Sequence, residues 1–265
     1  MTAYGPEDKR AGYDAIIQAE SGYYSMNGSP DGPAQKMPLA FMDLLAAHQL
    51  KEGILLALLK RAQTGAGSHV QTSLIGAGIS SLANQATNWL VGGVIPQRMG
   101  SEHPNIVPYG TAFSTRDGLA IVVAVGSDRQ FAALCACLGI PALPEDVRFT
   151  HNQSRVKHRK VLLAELETHF LKHDRDPLLV QLHLANVPAG AVRDMQDVFS
   201  QAFAEASILH GKNLKGVRTV ALKGIGAHDL SEPPHLGADT EAILAGFLAY
   251  SPEKIASLHA SDTVG

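Results

Sequence analysis

The stretch FSTRDGLAIVVAV, residues 113–125, predicts a β-hairpin with its turn at Asp117-Gly118. Helical patterns surround this hairpin, and the other predicted extended segments are short. They cover residues 69–74, 187–192 and 217–222. Strands that are few and separated by helices indicate an α/β or α+β class.

A long helix is predicted over residues 43–63, where leucine and isoleucine recur at helical spacing. Gly65 follows directly after Thr64, as is typical of a glycine-capped helix end. Other helices are predicted at residues 15–19, 77–90, 128–138, 155–173, 177–186, 195–205 and 239–249, and after Ser251.

The bulk composition excludes several classes of protein. The 265 residues are 45% hydrophobic and 18% charged, which is typical of a globular protein with a sizeable core. A net charge of −3 gives no basic footprint for nucleic acid or anionic membranes. No apolar run reaches the roughly 18 residues of a membrane span, and residues 1–8 lack a signal pattern. We therefore expect a cytoplasmic protein that binds neither nucleic acid nor membrane.

The cysteines and histidines do not form a metal-binding pattern. Cys135 and Cys137 lie two positions apart in an apolar run, so they cannot easily bridge each other and offer only two ligands. The twelve histidines are scattered and lack zinc-motif spacing. We predict reduced, buried thiols on a helix and no metal site.

Asp43 is the acidic residue that the sequence singles out. It lies where the long apolar helix starts, downstream of the turn-rich NGSPDGP at residues 27–33. An aspartate before a helix is most often an N-cap that accepts a backbone N–H. The alternative is a carboxylate nucleophile held at the same place.

An ordered series of motifs resembles family III CoA-transferases, the group that includes formyl-CoA, carnitine and succinyl-CoA transferases and the α-methylacyl-CoA racemases. The series consists of GYDAIIQA at 12–19, Asp43, GILLALLKR at 53–61, HPNIVPY at 103–109, VPAG at 187–190 and PPHLGADT at 233–240. It covers nearly the whole chain. The resemblance implies an α/β fold in which residues 1–95 and 190–265 are part of a Rossmann-like large domain. Residues 105–185 would form a smaller α+β domain.

The resemblance also implies that Asp43 is the nucleophile of an acyl-CoA:carboxylate CoA-transferase. Its carboxylate would form an acyl–aspartyl anhydride and then an aspartyl-CoA thioester. Coenzyme A thioesters are then substrates, and no permanently bound cofactor is implied. N–H groups of the loop Gly100, Ser101 and Glu102 are expected to stabilise developing oxyanions. Glu102 and His103 would line the acyl pocket, or alternatively be solvent-exposed loop residues.

Ala11, Gly12, Tyr13 and Asp14 are the residues that the resemblance places against CoA. Racemases of the family carry His in place of Tyr13, because proton transfer at the α-carbon needs a base titrating near neutrality. Tyrosine ordinarily has a pKa of about 10 and is poorly suited to that task. A racemase-like enzyme remains the alternative, as does a core or interface position for Tyr13. Asp128 lies near an acidic position that assists racemases, or caps the helix that follows.

Family members are longer, and the resemblance implies a preceding segment that carries most contacts to the CoA adenine and diphosphate. Consistent with this, GAG at residues 76–78 lacks the third glycine of a dinucleotide-binding pattern. We expect either a fragment or a chain completed by a separate N-terminal-half polypeptide, and a non-catalytic subunit is a further alternative. A homodimer is implied by the family. The chain by itself is expected to self-associate or aggregate, and to bind CoA weakly.

Overall fold

The computed structural model describes residues 1–222 and 233–264, which fall into two compact units, Met1–Val192 and Arg193–Gly265. The helices of the first unit are α1 (Asp14–Glu20), α2 (Tyr23–Met26), α3 (Phe41–Thr64), α4 (Leu74–Ser80), α5 (Asn84–Leu90), α6 (Asp128–Cys137), α7 (Asn152–Lys157), α8 (Arg159–Phe170) and α9 (Arg175–Leu184). Its strands are β1 (Tyr109–Ser114), β2 (Ala120–Ala124) and β3 (Ala189–Ala191), and a 3₁₀ turn covers Leu143–Glu145.

The predicted hairpin is confirmed and forms the centre of the larger hydrophobic core. Strands β1 and β2 are antiparallel, and β3 adds to β2 antiparallel with Gly190 opposite Val122. Gly118 in the turn has a φ of +75°, a backbone conformation that glycine adopts without a Cβ clash. Helices α8 and α9 contact this sheet, and Phe113 of β1 stacks on Phe170 of α8 with 4.3 Å between ring centroids.

A second, smaller core joins α1, α3 and α4. Its fully buried members are Ile17, Met42 and Ala46, with Leu74 and Ala77 nearly so. Helix α3 extends the predicted range by two residues at its start and one at its end, and it ends at Gly65, whose N–H donates to Arg61 O at 2.8 Å. Because only Met42 and Ala46 of this helix are buried, most of its leucines remain exposed.

Two predicted helices are each broken into two. The segment 77–90 forms α4 and α5, separated near Ala83, which adopts a positive φ of 49°. The segment 155–173 is α7 followed by α8, with His158 between them in a non-helical conformation. Apolar periodicity continues across both breaks in the sequence, so it gave no signal for either of them.

The predicted strand at residues 69–74 is wrong. Only Ser73 takes part in strand pairing, through one isolated parallel bridge to Thr2. Ser73 is instead the N-cap of α4, since its Oγ accepts from Gly76 N–H at 3.1 Å. That bridge is the sole strand pairing described within residues 1–95, which otherwise contribute five helices.

The second unit contains short elements. They are α10 (Met195–Phe199), a 3₁₀ segment (Ala202–Ser207), the antiparallel pair β4 (Ile208–His210) and β5 (Lys215–Val217), α11 (Thr240–Ala242), a π-helical segment (Ile243–Phe247) and α12 (Pro252–Ala260). The final helix is confirmed, and Ser251 caps it by accepting from Lys254 N–H. The predicted helices at 195–205 and 239–249 are each only partly α-helical.

The mixed α/β class is confirmed, whereas the division into domains 1–95 with 190–265 and 105–185 stays a prediction. Within the first unit, the larger hydrophobic core draws its buried residues from 107–187, close to the predicted small domain. Across residues 1–222 and 233–264, none of the helices combines the length and apolar character needed to cross a bilayer.

Candidate active site

Asp43 is the third residue of α3 and lies in its first turn. Ala40 holds the N-cap position and has no side chain that could accept a backbone N–H, so the prediction of Asp43 as N-cap is wrong. The Asp43 side chain is half-buried, and it has no hydrogen-bond or ion-pair partner within the described part of the chain. A helix N-terminus favours negative charge. A carboxylate at this position is therefore favourably placed and remains available to a ligand.

Asp14 of α1 supplies the side-chain cap that α3 would otherwise lack. Its Oδ1 accepts from the Met42 N–H at 3.0 Å, which satisfies one of the free donors in the first turn of α3. The donor is the backbone N–H next to Asp43. Since the two residues lie 28 positions apart in sequence, local capping rules gave no signal for this contact.

Gln18, which sequence reasoning missed, completes the contact between α1 and the segment before Asp43. It is completely buried. Its Nε2 donates to Asp14 Oδ2 at 2.7 Å and to Leu39 O at 3.3 Å, and its Oε1 accepts from Met37 N–H at 2.7 Å. A polar residue one helical turn after Asp14, on the face that also carries buried Ile17, was the available signal.

The predicted CoA-contacting residues differ in how accessible they are. Tyr13 is the N-cap of α1 and its side chain is 81% exposed, so a core position for its ring is wrong. Gly12 is closely packed, because an added Cβ would lie 2.9 Å from Ala3 Cβ and 3.0 Å from the Tyr4 ring. Ala11 is exposed, and both oxygens of Asp14 already have partners inside the chain.

Glu102 and His103 are held by internal contacts rather than lying in solvent. Glu102 accepts from Arg159 at 2.6 Å, and the same guanidinium donates to His103 O at 2.8 Å. The His103 ring accepts from Asn105 N–H and packs edge-on against Tyr109, with 5.2 Å between centroids. The solvent-exposed alternative for these two residues is therefore wrong, while their role in substrate binding stays a prediction.

Two of the three predicted oxyanion donors are used within the chain. Gly100 N–H donates to Gly28 O at 2.9 Å, and Glu102 N–H donates to Met99 O at 3.2 Å. Ser101 is exposed.

Gly100 and Glu102 do line a cleft of about 330 Å³, together with Met26, Gln85, Asn88, Val94, Ile95, Pro96, Gln97, Met99, Pro104 and Asn105. Asp43 and Tyr13 are not among its lining residues. An adjoining cleft of similar size is almost entirely apolar and includes Trp89 and Leu90. Glu102 of the predicted acyl pocket thus shares a cleft with Gly100 of the predicted oxyanion loop, whereas His103 is not among its lining residues.

The model of the family described as CoA-transferase family III matches residues 1–240. This chain belongs to that family. A succinate–glutarate CoA-transferase from Agrobacterium fabrum is 34% identical over 249 residues, covering 91% of this chain and 62% of that protein. A succinyl-CoA:glutarate CoA-transferase from Mus musculus is 32% identical, and the match covers 100% of this chain and 63% of that protein. The chain thus spans a little over three fifths of the length of these relatives.

A solved structure supports the same assignment. A CaiB/BaiF family protein from Brucella suis matches with a TM-score of 0.78 and 37% identity, over 92% of this chain and 66% of that one. The predicted family III CoA-transferase fold is therefore confirmed. The resemblance first seen in motifs such as GYDAIIQA extends to the three-dimensional structure.

In this family III chain, Asp128 is not the cap of α6. Ser127 is, since its Oγ accepts from Gln130 N–H. Asp128 instead accepts from Arg155 at 2.7 Å and from His151 at 3.2 Å. Burial alone would raise the pKa of Asp128, but the hydrogen bonds from Arg155 and His151 outweigh it, and the pKa lies below its usual 3.8.

Because the folded-state pKa of Asp128 is lowered, its contribution to stability is present above pH 3.8 and is lost as pH falls through the folded value. We expect the urea midpoint of the wild type to fall between about pH 5 and pH 2 more steeply than that of Asp128→Asn. Parallel acid profiles for the two proteins would contradict this assignment.

The thiols fit the sequence prediction in part. Both are free, with Cys135 buried and Cys137 half-buried rather than buried. Desolvation raises the pKa of Cys135 to about 12, so it is not a thiolate at neutral pH. Among the described residues, no three His, Cys, Asp or Glu side chains are grouped as metal ligands would be.

Proposed function

We propose that this chain carries the nucleophile of an acyl-CoA:carboxylate CoA-transferase, and that the nucleophile is Asp43. The observation that carries the proposal is the Asp43 carboxylate itself. It is half-buried in the first turn of α3, without a partner among the described residues, in a chain of the CoA-transferase family III. A carboxylate that already served as a cap or ion-pair partner would have to break that contact before reacting.

The proposed reaction proceeds through covalent stages. An oxygen of Asp43 attacks the thioester carbonyl, the C–S bond breaks, and CoA leaves as a thiolate from an acyl–aspartyl anhydride. The thiolate then attacks the Asp43 carbonyl, which releases the donor carboxylate and leaves an aspartyl-CoA thioester. The acceptor carboxylate attacks this thioester, and the thiolate leaves again. The thiolate finally attacks the acyl carbonyl of the acceptor, which forms the new acyl-CoA and frees the Asp43 carboxylate. Each stage has a lower barrier than direct exchange.

The positions of other residues suggest how substrates are held. The exposed Tyr13 ring, 30 residues before Asp43 in sequence and joined to the same small core through α1, offers a flat apolar surface to the pantetheine arm. Ala11 and Gly12 would place backbone groups beside it. The Gly100–His103 loop would line the acyl pocket, with Ser101 N–H as the free oxyanion donor. No permanently bound cofactor is required.

A short dicarboxylyl-CoA such as succinyl-CoA is the proposed donor, and a dicarboxylate the proposed acceptor. The support is the naming of relatives, one a succinate–glutarate and one a succinyl-CoA:glutarate CoA-transferase. The proposed location is the cytoplasm.

Two alternative functions lead to different expected results. An α-methylacyl-CoA racemase-like enzyme would exchange the α-hydrogen, and Tyr13 disfavours it because tyrosine is a poor base near neutrality. A non-catalytic subunit, completed by a separate N-terminal-half polypeptide, is supported by the chain spanning only 62% of one relative.

Isotope exchange tests the proposed function against both alternatives. Labelled succinate should appear in succinyl-CoA when the purified chain is present, and no deuterium should enter the α-carbon from heavy water. Deuterium entry without carboxylate exchange would indicate the racemase. Absence of both, restored when a polypeptide corresponding to the remaining part of a relative is added, would indicate a subunit.

We also propose that the chain forms a homodimer through the exposed side of α3. Leu55, Leu56 and Leu59 are each more than half exposed, and burying two leucines contributes about 3–6 kcal/mol. We expect Leu55→Gln/Leu59→Gln to weaken association at least about 100-fold in sedimentation velocity. Leu184→Gln, at a still more exposed leucine of α9, is the control. A wild-type chain that sediments as a monomer at tens of micromolar would contradict the proposal.

A further inference from the structure

We infer that Asp14 and Gln18 form a positioning dyad whose purpose is to leave the Asp43 carboxylate free. The inference rests on the proposed function in that Asp43 is taken as the nucleophile. In this dyad Gln18 holds the backbone before Asp43, and Asp14 caps α3 rather than contacting CoA. Neither residue touches the reacting atoms in this assignment, and both act through the backbone that carries Asp43.

The dyad holds that backbone at three points. Gln18 Oε1 accepts from Met37 N–H at 2.7 Å, and Gln18 Nε2 donates to Leu39 O at 3.3 Å. Asp14 Oδ1 accepts from Met42 N–H at 3.0 Å. These contacts cover the residues between Met37 and the start of α3. The segment that leads to Asp43 is therefore anchored to α1 both before α3, at Met37 and Leu39, and in the first turn of α3, at Met42.

The two side chains also fix each other. Gln18 Nε2 donates to Asp14 Oδ2 at 2.7 Å, so every polar atom of the Gln18 side chain and both oxygens of Asp14 are used. Gln18 is fully buried, and an unpaired amide there would be costly. A network that is completely satisfied in this way is rigid.

The chemical consequence concerns competition for one backbone donor. The first turn of a helix has N–H groups without helical partners, and acidic side chains nearby accept from them. Ala40 cannot cap α3. Without Asp14, the Asp43 carboxylate would be the nearest acid in this turn and would fold back onto the free N–H groups. Because Asp14 already accepts from Met42 N–H, that donor is not available to Asp43, whose carboxylate has no partner among the described residues.

Amidation of Asp43 by a water-soluble carbodiimide and glycine amide measures this competition directly, without requiring turnover. A carboxylate that accepts hydrogen bonds is harder to protonate and reacts more slowly. We expect Asp14→Ala to slow labelling of Asp43 at least about 3-fold relative to exposed Asp31 in the same sample, by peptide mass spectrometry. Gln18→Leu, which removes the buried amide, should have a similar effect. An equal Asp43 rate in wild type and Asp14→Ala would overturn the dyad.

A paired exchange separates positioning from general loss of structure. In Asp14→Asn/Gln18→Glu, the new amide oxygen at position 14 can accept from Met42 N–H, and its nitrogen can donate to the new carboxylate at position 18. The new carboxylate can still accept from Met37 N–H, and only the longer bond to Leu39 O is lost. We expect this double variant to recover most of the Asp43 labelling rate. Failure to recover it, while thermal unfolding is restored, would overturn the dyad in favour of a structural role.

Kinetics distinguish the dyad from a CoA contact by Asp14. If Asp14 positions Asp43, Asp14→Ala should lower kcat at least about 10-fold and leave KM for acyl-CoA within about 2-fold. A raised KM with unchanged kcat would overturn the inference and support CoA contact. If the wild type shows no exchange at all, the proposed function fails, and the amidation rates still decide whether the dyad exists.

Discussion

We expect Asp43→Asn to lower CoA transfer by this chain at least about 1,000-fold, since loss of a covalent nucleophile is among the largest single effects in enzymes. The substitution preserves shape and removes the charge. The Asp43 carboxylate has no partner among the described residues, so its removal breaks no contact. Loss of a negative charge at the helix N-terminus should lower the free energy of unfolding by at most about 1 kcal/mol. A large fall in activity with at most this small fall in stability is the expected signature of a nucleophile.

Hydroxylamine trapping identifies the residue that carries the acyl group. After incubation with succinyl-CoA, the wild type should carry a hydroxamate on the peptide that contains Asp43, because hydroxylamine cleaves both an anhydride and a thioester. Asp43→Asn and Asp43→Ala should carry none, whereas Asp31→Asn, at an exposed turn aspartate, should behave as wild type. A hydroxamate on another residue, or full exchange by Asp43→Ala, would show that Asp43 is not the nucleophile.

Arg155→Met should destabilise the first unit by about 3–5 kcal/mol, the range for removing one partner of a buried charge network. Arg155 is completely buried and donates to Val107 O and Phe149 O, both at 3.0 Å, as well as to Asp128. Its guanidinium also lies over the Phe131 ring, 4.6 Å from the centroid. Since Asp128 is half exposed, most of the expected loss comes from the two carbonyls left without donors.

Urea denaturation followed by circular dichroism measures this effect, and Arg148→Met provides the control. Arg148 pairs with Asp146 at 2.6 Å, but it lies at the surface and exposed ion pairs contribute at most about 1 kcal/mol. We expect Arg155→Lys to fall between the wild type and Arg155→Met, because one ammonium cannot reach all three acceptors. Equal midpoints for Arg155→Met and Arg148→Met would show that the buried network is not stabilising.

Of the candidate site, only the proposed nucleophile was predictable from sequence. Asp43 stood out by its place beside an apolar helix and among motifs that resemble a known family. The residues that position Asp43 did not stand out in the sequence. Gln18 carries no catalytic signature, and its role depends on contacts to Met37 and Leu39, which lie 19 and 21 positions away. The hydrogen bond from Gly100 N–H to Gly28 O could not be predicted either, because it joins two loops that are distant in sequence.

The sequence by itself determined the elements that depend on near neighbours. The β-hairpin follows from the Asp117-Gly118 turn and the continuous apolar run after it, and α3 and its end at Gly65 follow from helical periodicity and a glycine cap. These features are encoded within a few residues, so the sequence pattern is sufficient to predict them. The family, likewise, could be identified from short motifs in order.

Only the tertiary structure decided which side chain caps α3, where the two long helical segments break, and what Asp128 contacts. The cap comes from Asp14, the breaks occur at Ala83 and His158, and Asp128 meets Arg155 from another helix. The cap, for example, is a choice between Asp43 and Asp14 for one N–H group. Such a choice depends on which distant residues are brought together by packing, and local sequence preferences do not contain that information.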